Sequence, residues 1–126
     1  VIKMLSVIEL KQRQVSWQHS YAHRAFGKGK MVRFMTKKAK EYKDLVVNAW
    51  IEKYGEEIKY PHEKVKATVI LNLKGKRKLD IDNSTKLIFD SLNEFAYGDD
   101  SQIHELLIRK TMNCESDKII IMFEPL

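Results

Sequence analysis

Five aspartates, Asp80, Asp82, Asp90, Asp99 and Asp100, fall between Asp80 and Gln102, with Lys86 the one lysine among them. Asp80 and Asp82 are two residues apart and share a face wherever the chain is extended. Asn83 is a good N-cap for a helix from Ser84 to about Asn93, in which Leu87, Ile88, Ser91, Leu92 and Phe95 form the buried stripe. Lys86 and Asp90, four apart on the opposite side, then project toward the aspartate pair. Gly98 permits a tight turn that returns Asp99 and Asp100 to the same place. Carboxylates gathered in this way repel one another unless a hard cation lies among them, and Mg²⁺, or Mn²⁺ in its stead, suits such oxygen donors. The chemistry this permits is metal-assisted phosphodiester hydrolysis, in which the ion makes hydroxide available near neutral pH and a neighbouring lysine takes up developing charge. The alternative is that the aspartates only cap helices and shape turns.

The elements that must hold these residues can be read on either side. Val65, Ala67, Val69, Leu71 and Leu73 alternate with more polar residues, giving a half-buried strand directly upstream, and Ile103 to Met112 and Lys118 to Phe123 read as a C-terminal hairpin joined by the polar turn Asn113 to Asp117. Thr36 is an N-cap for a helix to Tyr54, with Gly55 as its stop and Ala39, Tyr42, Val46, Ala49 and Lys53 on one stripe, widened by Leu45 and Trp50. Val1 to Leu10 carries apolar residues on both faces and reads as a central strand. The expected architecture is one α+β domain over residues 1–126, with two helices packed on a mixed sheet of about four strands.

The net charge of +6 is unevenly spread: Lys11 to Lys40 holds nine of the 23 Lys and Arg and none of the 17 Asp and Glu. The rest of the chain is therefore slightly acidic, and a localised basic segment points to a polyanion such as nucleic acid. Residues 11–35 show no clear period and read as a long loop in which Trp17, Tyr21, Phe26 and Phe34 are interleaved with basic side chains, a pattern suited to phosphate contact and base stacking. Arg13, Arg24, Lys28, Lys30 and Arg33 of this loop, Lys37 at the following helix, and Lys76, Arg77 and Lys78 just ahead of Asp80 are the DNA-contact candidates. No apolar run approaches a membrane span, and the start of the chain lacks the plan of a secretory leader, so the expected location is cytoplasmic. Cys114 is alone and forms neither an internal disulfide nor a zinc cluster.

The ordered string Asp80-Ile81-Asp82-Asn83, Lys86, Phe89-Asp90, Leu92, Gly98-Asp99-Asp100 and Gln102-Ile103 resembles the signature of RusA-type Holliday junction resolvases. Residues 78–102 carry it. Ser16 to Tyr21 and Phe34 to Lys43 are similar to the N-terminal region of such proteins, although Gln18 stands where Asn is usual and the usual proline is missing. The resemblance implies a Mg²⁺-dependent homodimeric endonuclease that cuts four-way DNA junctions in recombination and repair. It assigns Asp80, Asp82 and Asp100 as acidic, metal-holding catalytic residues and Lys86 as the essential lysine; Asn83, Asp90 and Asp99 are second choices read from their positions alone, as supports around that set. Two nicks on symmetry-related strands call for two sites, and Ile119 to Phe123 reads as an edge strand available for pairing with a second copy. Two other functions stay open at this point: a non-catalytic nucleic-acid-binding module, and a metal-dependent nuclease acting on flaps or single strands.

Overall fold

The computed structural model describes residues 5–12, 21–26, 30–76, 81 and 85–126, with the backbone alone for 21–26 and 30–34. Six strands and two helices follow in the order β1 (Ser6–Leu10), β2 (Tyr21–Phe26), β3 (Lys30–Met35), α1 (Lys37–Tyr54), β4 (Val65–Lys74), α2 (Lys86–Ser91), β5 (Ile103–Cys114) and β6 (Lys118–Pro125), with a 3₁₀ turn at Asp100–Gln102 leading into β5. The main sheet has the order β1-β6-β4-β5 and is mixed, because β4 pairs in parallel with β5 and antiparallel with β6. An α+β domain with two helices on a mixed four-stranded sheet is therefore the fold.

Local chemistry accounts for the elements read correctly. Thr36 Oγ1 accepts from the Ala39 amide at 3.3 Å to start α1, and Gly55, at φ 80°, ends it with its N–H on the Ile51 carbonyl. A positive φ is strained for any residue bearing a Cβ, so glycine suits that stop. Ala39, Tyr42, Val46 and Trp50 form the buried stripe of α1, whereas Leu45 is exposed. In β4, Val65, Ala67, Val69, Leu71 and Leu73 are buried and the intervening residues are not. The core closes around Phe123, whose ring meets Trp50 of α1 at 5.9 Å, Phe89 of α2 at 6.2 Å and Tyr97 at 5.4 Å.

Several expectations are corrected. Of the segment read as a central strand, Ser6–Leu10 forms β1, which among the described residues is an edge strand paired only with β6 and alternating in burial; residues 1–4 lie outside the described residues. The long loop contains β2 and β3, which pair antiparallel as a separate two-stranded ribbon. Two glycines in the three residues between these strands are the hairpin signal. The C-terminal strands do not form a hairpin, because β4 lies between them. Four Cα steps from Cys114 to Lys118 reach about 13 Å, enough to cross two strand spacings of about 9.5 Å, so a short polar connection fits an arch as well as a hairpin. Asp117 secures that arch by accepting from the Lys74 amide at 2.9 Å. The same order places Ile119 to Phe123 inside the sheet, paired on both sides, so it is no edge. The edges are β1, where Tyr54 and Lys53 of α1 bond the outward backbone groups of Val7, and β5, which exposes Leu106, Leu107 and Met112. Helix α2 is shorter than expected and begins after Thr85, while the proposed cap Asn83 lies outside the described residues. Among the described residues no helix is long and apolar enough to cross a membrane.

Candidate active site

Leu87, Ile88, Phe89 and Ser91 turn α2 into the core, which leaves Lys86 and Asp90 on its outer side. They form an i,i+4 ion pair, Lys86 Nζ to Asp90 Oδ2 at 3.7 Å, with the two side chains 53% and 31% exposed. Such a pair adds only a few tenths of a kcal/mol to stability, so its position matters more than its strength. From α2 the chain turns through Glu94, at φ 67°, to Tyr97. The buried Tyr97 hydroxyl donates to the Phe89 carbonyl at 2.7 Å. Burial, and then the negative charges of Asp100, Asp90 and Asp99, push the Tyr97 phenol well above its ordinary range. The buried Tyr97 thus ties the acidic corner to α2 and, through its ring contact with Phe123, to the core.

Asp99 and Gln102 fix the next turn through a reciprocal capping box. Asp99 Oδ2 accepts from the Ser101 amide at 3.0 Å, and Gln102 Oε1 accepts from the Asp99 amide at 3.0 Å. Hydrogen bonds from Ser101 hold the Asp99 carboxyl below its usual range, and they turn that side chain to the backbone. Asp100, between them, behaves oppositely. Burial raises its pKa first, followed by a hydrogen bond with Asp90 and the charges of Asp90 and Asp99, while Lys86 pulls it back down. Two carboxyls brought this close are a favourable place for a hard cation, which would relieve their mutual repulsion.

The structure thus brings together Lys86, Asp90 and Asp100 and directs Asp99 into the turn. Asp80, Asp82 and Asn83 lie outside the described residues, as do Arg13, Lys28, Arg77 and Lys78. Among the described residues no group of three or more His, Cys, Asp or Glu is placed to hold a metal ion. The donors described there, Asp90 and Asp100, are oxygen donors of the kind Mg²⁺ takes. Of the other basic candidates, Arg24 is on β2, Lys30 and Arg33 are on β3, opposite Phe26 and His23 respectively, and Lys76 is exposed just beyond β4. Lys37 opens α1, is 91% exposed and lies 3.9 Å from Glu41. Sequence reasoning missed the structural part of Gln102, although Asp99-x-x-Gln102 has the spacing of a capping box.

An acidic corner built on the return from a βα unit, in a chain that also carries a basic ribbon, defines a candidate nuclease. The family model for endodeoxyribonuclease RusA matches residues 14–124, nearly the whole chain, and the chain belongs to the RusA endodeoxyribonuclease family. No curated protein matches the chain. Membership implies endonuclease activity of the Holliday junction resolvase kind, acting on branched DNA.

Proposed function

We propose that this protein is a Mg²⁺-dependent endonuclease that resolves four-way DNA junctions by paired nicks, working as a homodimer in recombination and repair. The observation that carries the reading is the meeting of Asp90 and Asp100 beside Lys86, across the turn that joins α2 to β5, with the Asp100 carboxyl raised by burial and then by its acidic neighbours. Asp80, Asp82 and Asp100 would hold the ion, with Mn²⁺ able to replace Mg²⁺. Asp90 restrains Lys86 and shares the negative field, and Asp99 keeps the turn in shape.

When bound, Mg²⁺ supplies Lewis acidity, which favours deprotonation of a water and offsets charge on the scissile phosphate. The chain's own residues do the rest. The Lys86 ammonium sits where charge develops on phosphate oxygens, and a preorganised cation there stabilises the transition state more than the ground state. The basic residues of β2, β3 and the start of α1, with Lys76 to Lys78, hold the DNA through its phosphates, contacts that orient the duplex arms without reading sequence. One site cuts one strand. Two copies related by a two-fold axis match the approximate symmetry of a four-way junction and give the paired nicks.

The test is cleavage of a synthetic four-way junction alongside a linear duplex of the same sequence, in Mg²⁺ and in EDTA. Symmetric paired nicks in the junction arms, dependent on the metal and missing from the linear duplex, are expected. Junction binding without cleavage in any divalent metal would reject the enzymatic reading in favour of a binding module, and cleavage confined to flaps or single strands would reject the substrate.

A further inference from the structure

The approach of Asp100 to Asp90 is fixed to the body of the sheet by bonds that belong to a residue two positions later. The Gln102 amide meets three residues on two segments at once. Its Nε2 donates to the carbonyls of Tyr60 at 2.8 Å and Glu63 at 2.9 Å, in the loop that enters β4, while its Oε1 accepts from the Asp99 amide at 3.0 Å. Tyr60 is a firm anchor. It is fully buried, its N–H is bonded to the Ala96 carbonyl and its hydroxyl lies 2.6 Å from Ser6 Oγ. Gly98 closes the other side, since a Cβ there would stand 3.1 Å from both Gln102 Oε1 and the Pro61 carbonyl.

We propose that Gln102 is the positioning residue of the site: it locks the Asp99-to-Gln102 turn to the β4 entrance and so sets the Asp100 carboxylate at the distance from Asp90 and Lys86 that metal binding needs. This rests on the metal-dependent reading above. The chemistry calls for glutamine. The position requires two donors and one acceptor at the end of one side chain; glutamate offers no donor to the two carbonyls, leucine offers neither function, and asparagine is a methylene short. Groups that orient a metal's ligands without touching the metal commonly contribute 10- to 100-fold to affinity or activity.

The experiment measures Mn²⁺ binding to the DNA-free protein, by the paramagnetic resonance of the free ion, for wild type, Gln102→Leu, Asp100→Asn and the double variant. Junction cleavage is followed in parallel. Gln102→Leu should bind Mn²⁺ about tenfold more weakly, and the double variant should bind no more weakly than Asp100→Asn alone, because residues acting through one another are not additive. Its kcat should fall while KM for the junction holds, and excess Mn²⁺ should restore part of the rate. Gly98→Ala, which crowds Oε1 without removing it, should move the same quantities less far and serves if Gln102→Leu does not fold. Mn²⁺ affinity within twofold of wild type in whichever of these variants folds, or fully additive losses in the double variant, overturns the role of Gln102 while leaving the metal site standing. A wild-type protein that binds no Mn²⁺ overturns the metal reading and this inference with it.

Discussion

At the acidic corner, side chains of the turn after α2 are tied by directed bonds to the backbone of α2, of the β4 entrance and of the turn itself. Tyr97 bonds to Phe89, Gln102 to Tyr60, Glu63 and Asp99, and Ser101 to Asp99. The basic ribbon is built differently: among the described residues β2 and β3 pair with each other and with no strand of the main sheet, and α1 begins at Lys37, two residues after β3 ends. On the proposed function, the contrast matches two kinds of work. A reacting phosphate must be held to within fractions of an ångström, since misplacement by one ångström can cost about 10²-fold in rate. A phosphate contact for affinity needs charge near the backbone and tolerates a range of positions.

The sharpest way to separate the two regions is to remove a carboxylate. Asp82→Asn should lower junction cleavage by on the order of 10³-fold, equivalent to about 4 kcal/mol of barrier, while junction binding is held or strengthened because negative charge near the DNA is lost. Wild-type cleavage rates in Asp82→Asn would remove that residue from the site. A smaller effect in the opposite quantity is expected at the ribbon. Replacing Lys28, Lys30 and Arg33 together with Gln should weaken junction binding and reduce the slope of log affinity against log salt by about 0.9 for each phosphate no longer neutralised. The rate at saturating DNA should be preserved, and an unchanged salt slope would mean that the ribbon does not touch the backbone.

The smallest effect concerns the strain stored at the corner. Because the folded Asp100 pKa lies above its ordinary 3.8, protonation favours the native state. The sign follows from linkage: the metal-free protein is stabilised by this group below that value, and the stabilisation is lost as pH rises through the folded pKa. Asp100→Asn, a neutral mimic, should therefore unfold at a higher denaturant concentration than wild type at pH 7 in EDTA, with the difference closing as the medium is made acidic enough to protonate Asp100. An Asp100→Asn protein less stable than wild type at pH 7 would show that the carboxylate is not strained.

Legibility in the sequence follows the range of the interactions. Thr36 and Gly55 mark the ends of α1 because caps act within a few residues, and the alternation of Val65 to Leu73 marks β4 because period two is local. The pairing of Lys86 with Asp90 is likewise a consequence of helical spacing. What the sequence hides is partner choice. Nothing in Ile103 to Phe123 says that β4 will slip between the two strands, since an arch and a hairpin use the same polar residues. Nor does Val1 to Leu10 reveal that it ends on an edge, because apolar side chains on both faces suit a covered edge as well as an interior strand. The ribbon is obscured by Ala22, His23, Arg24 and Ala25, which carry no alternation. At the site, the approach of Asp100 to Asp90 depends on a turn whose anchor, Tyr60, is 42 residues upstream of Gln102, beyond any local pattern.

The insertion of β4 between β5 and β6 also governs how the chain reaches its fold. Both C-terminal strands find their partner in a segment made much earlier, and β1 joins the sheet only by pairing with β6, Ser6 opposite Phe123. Within this sheet only β4 and β5 are both successive and paired, and their parallel pairing must wait for the crossover through α2. Such a topology has high contact order, and long loops must close before any pairing rewards them. On the ribosome, α1 and the β2–β3 ribbon can form early, but β1 and β4 wait with apolar edges open until β6 emerges. The sheet that carries the acidic corner is thus complete only once β6, the strand that joins β1 to β4, has been made.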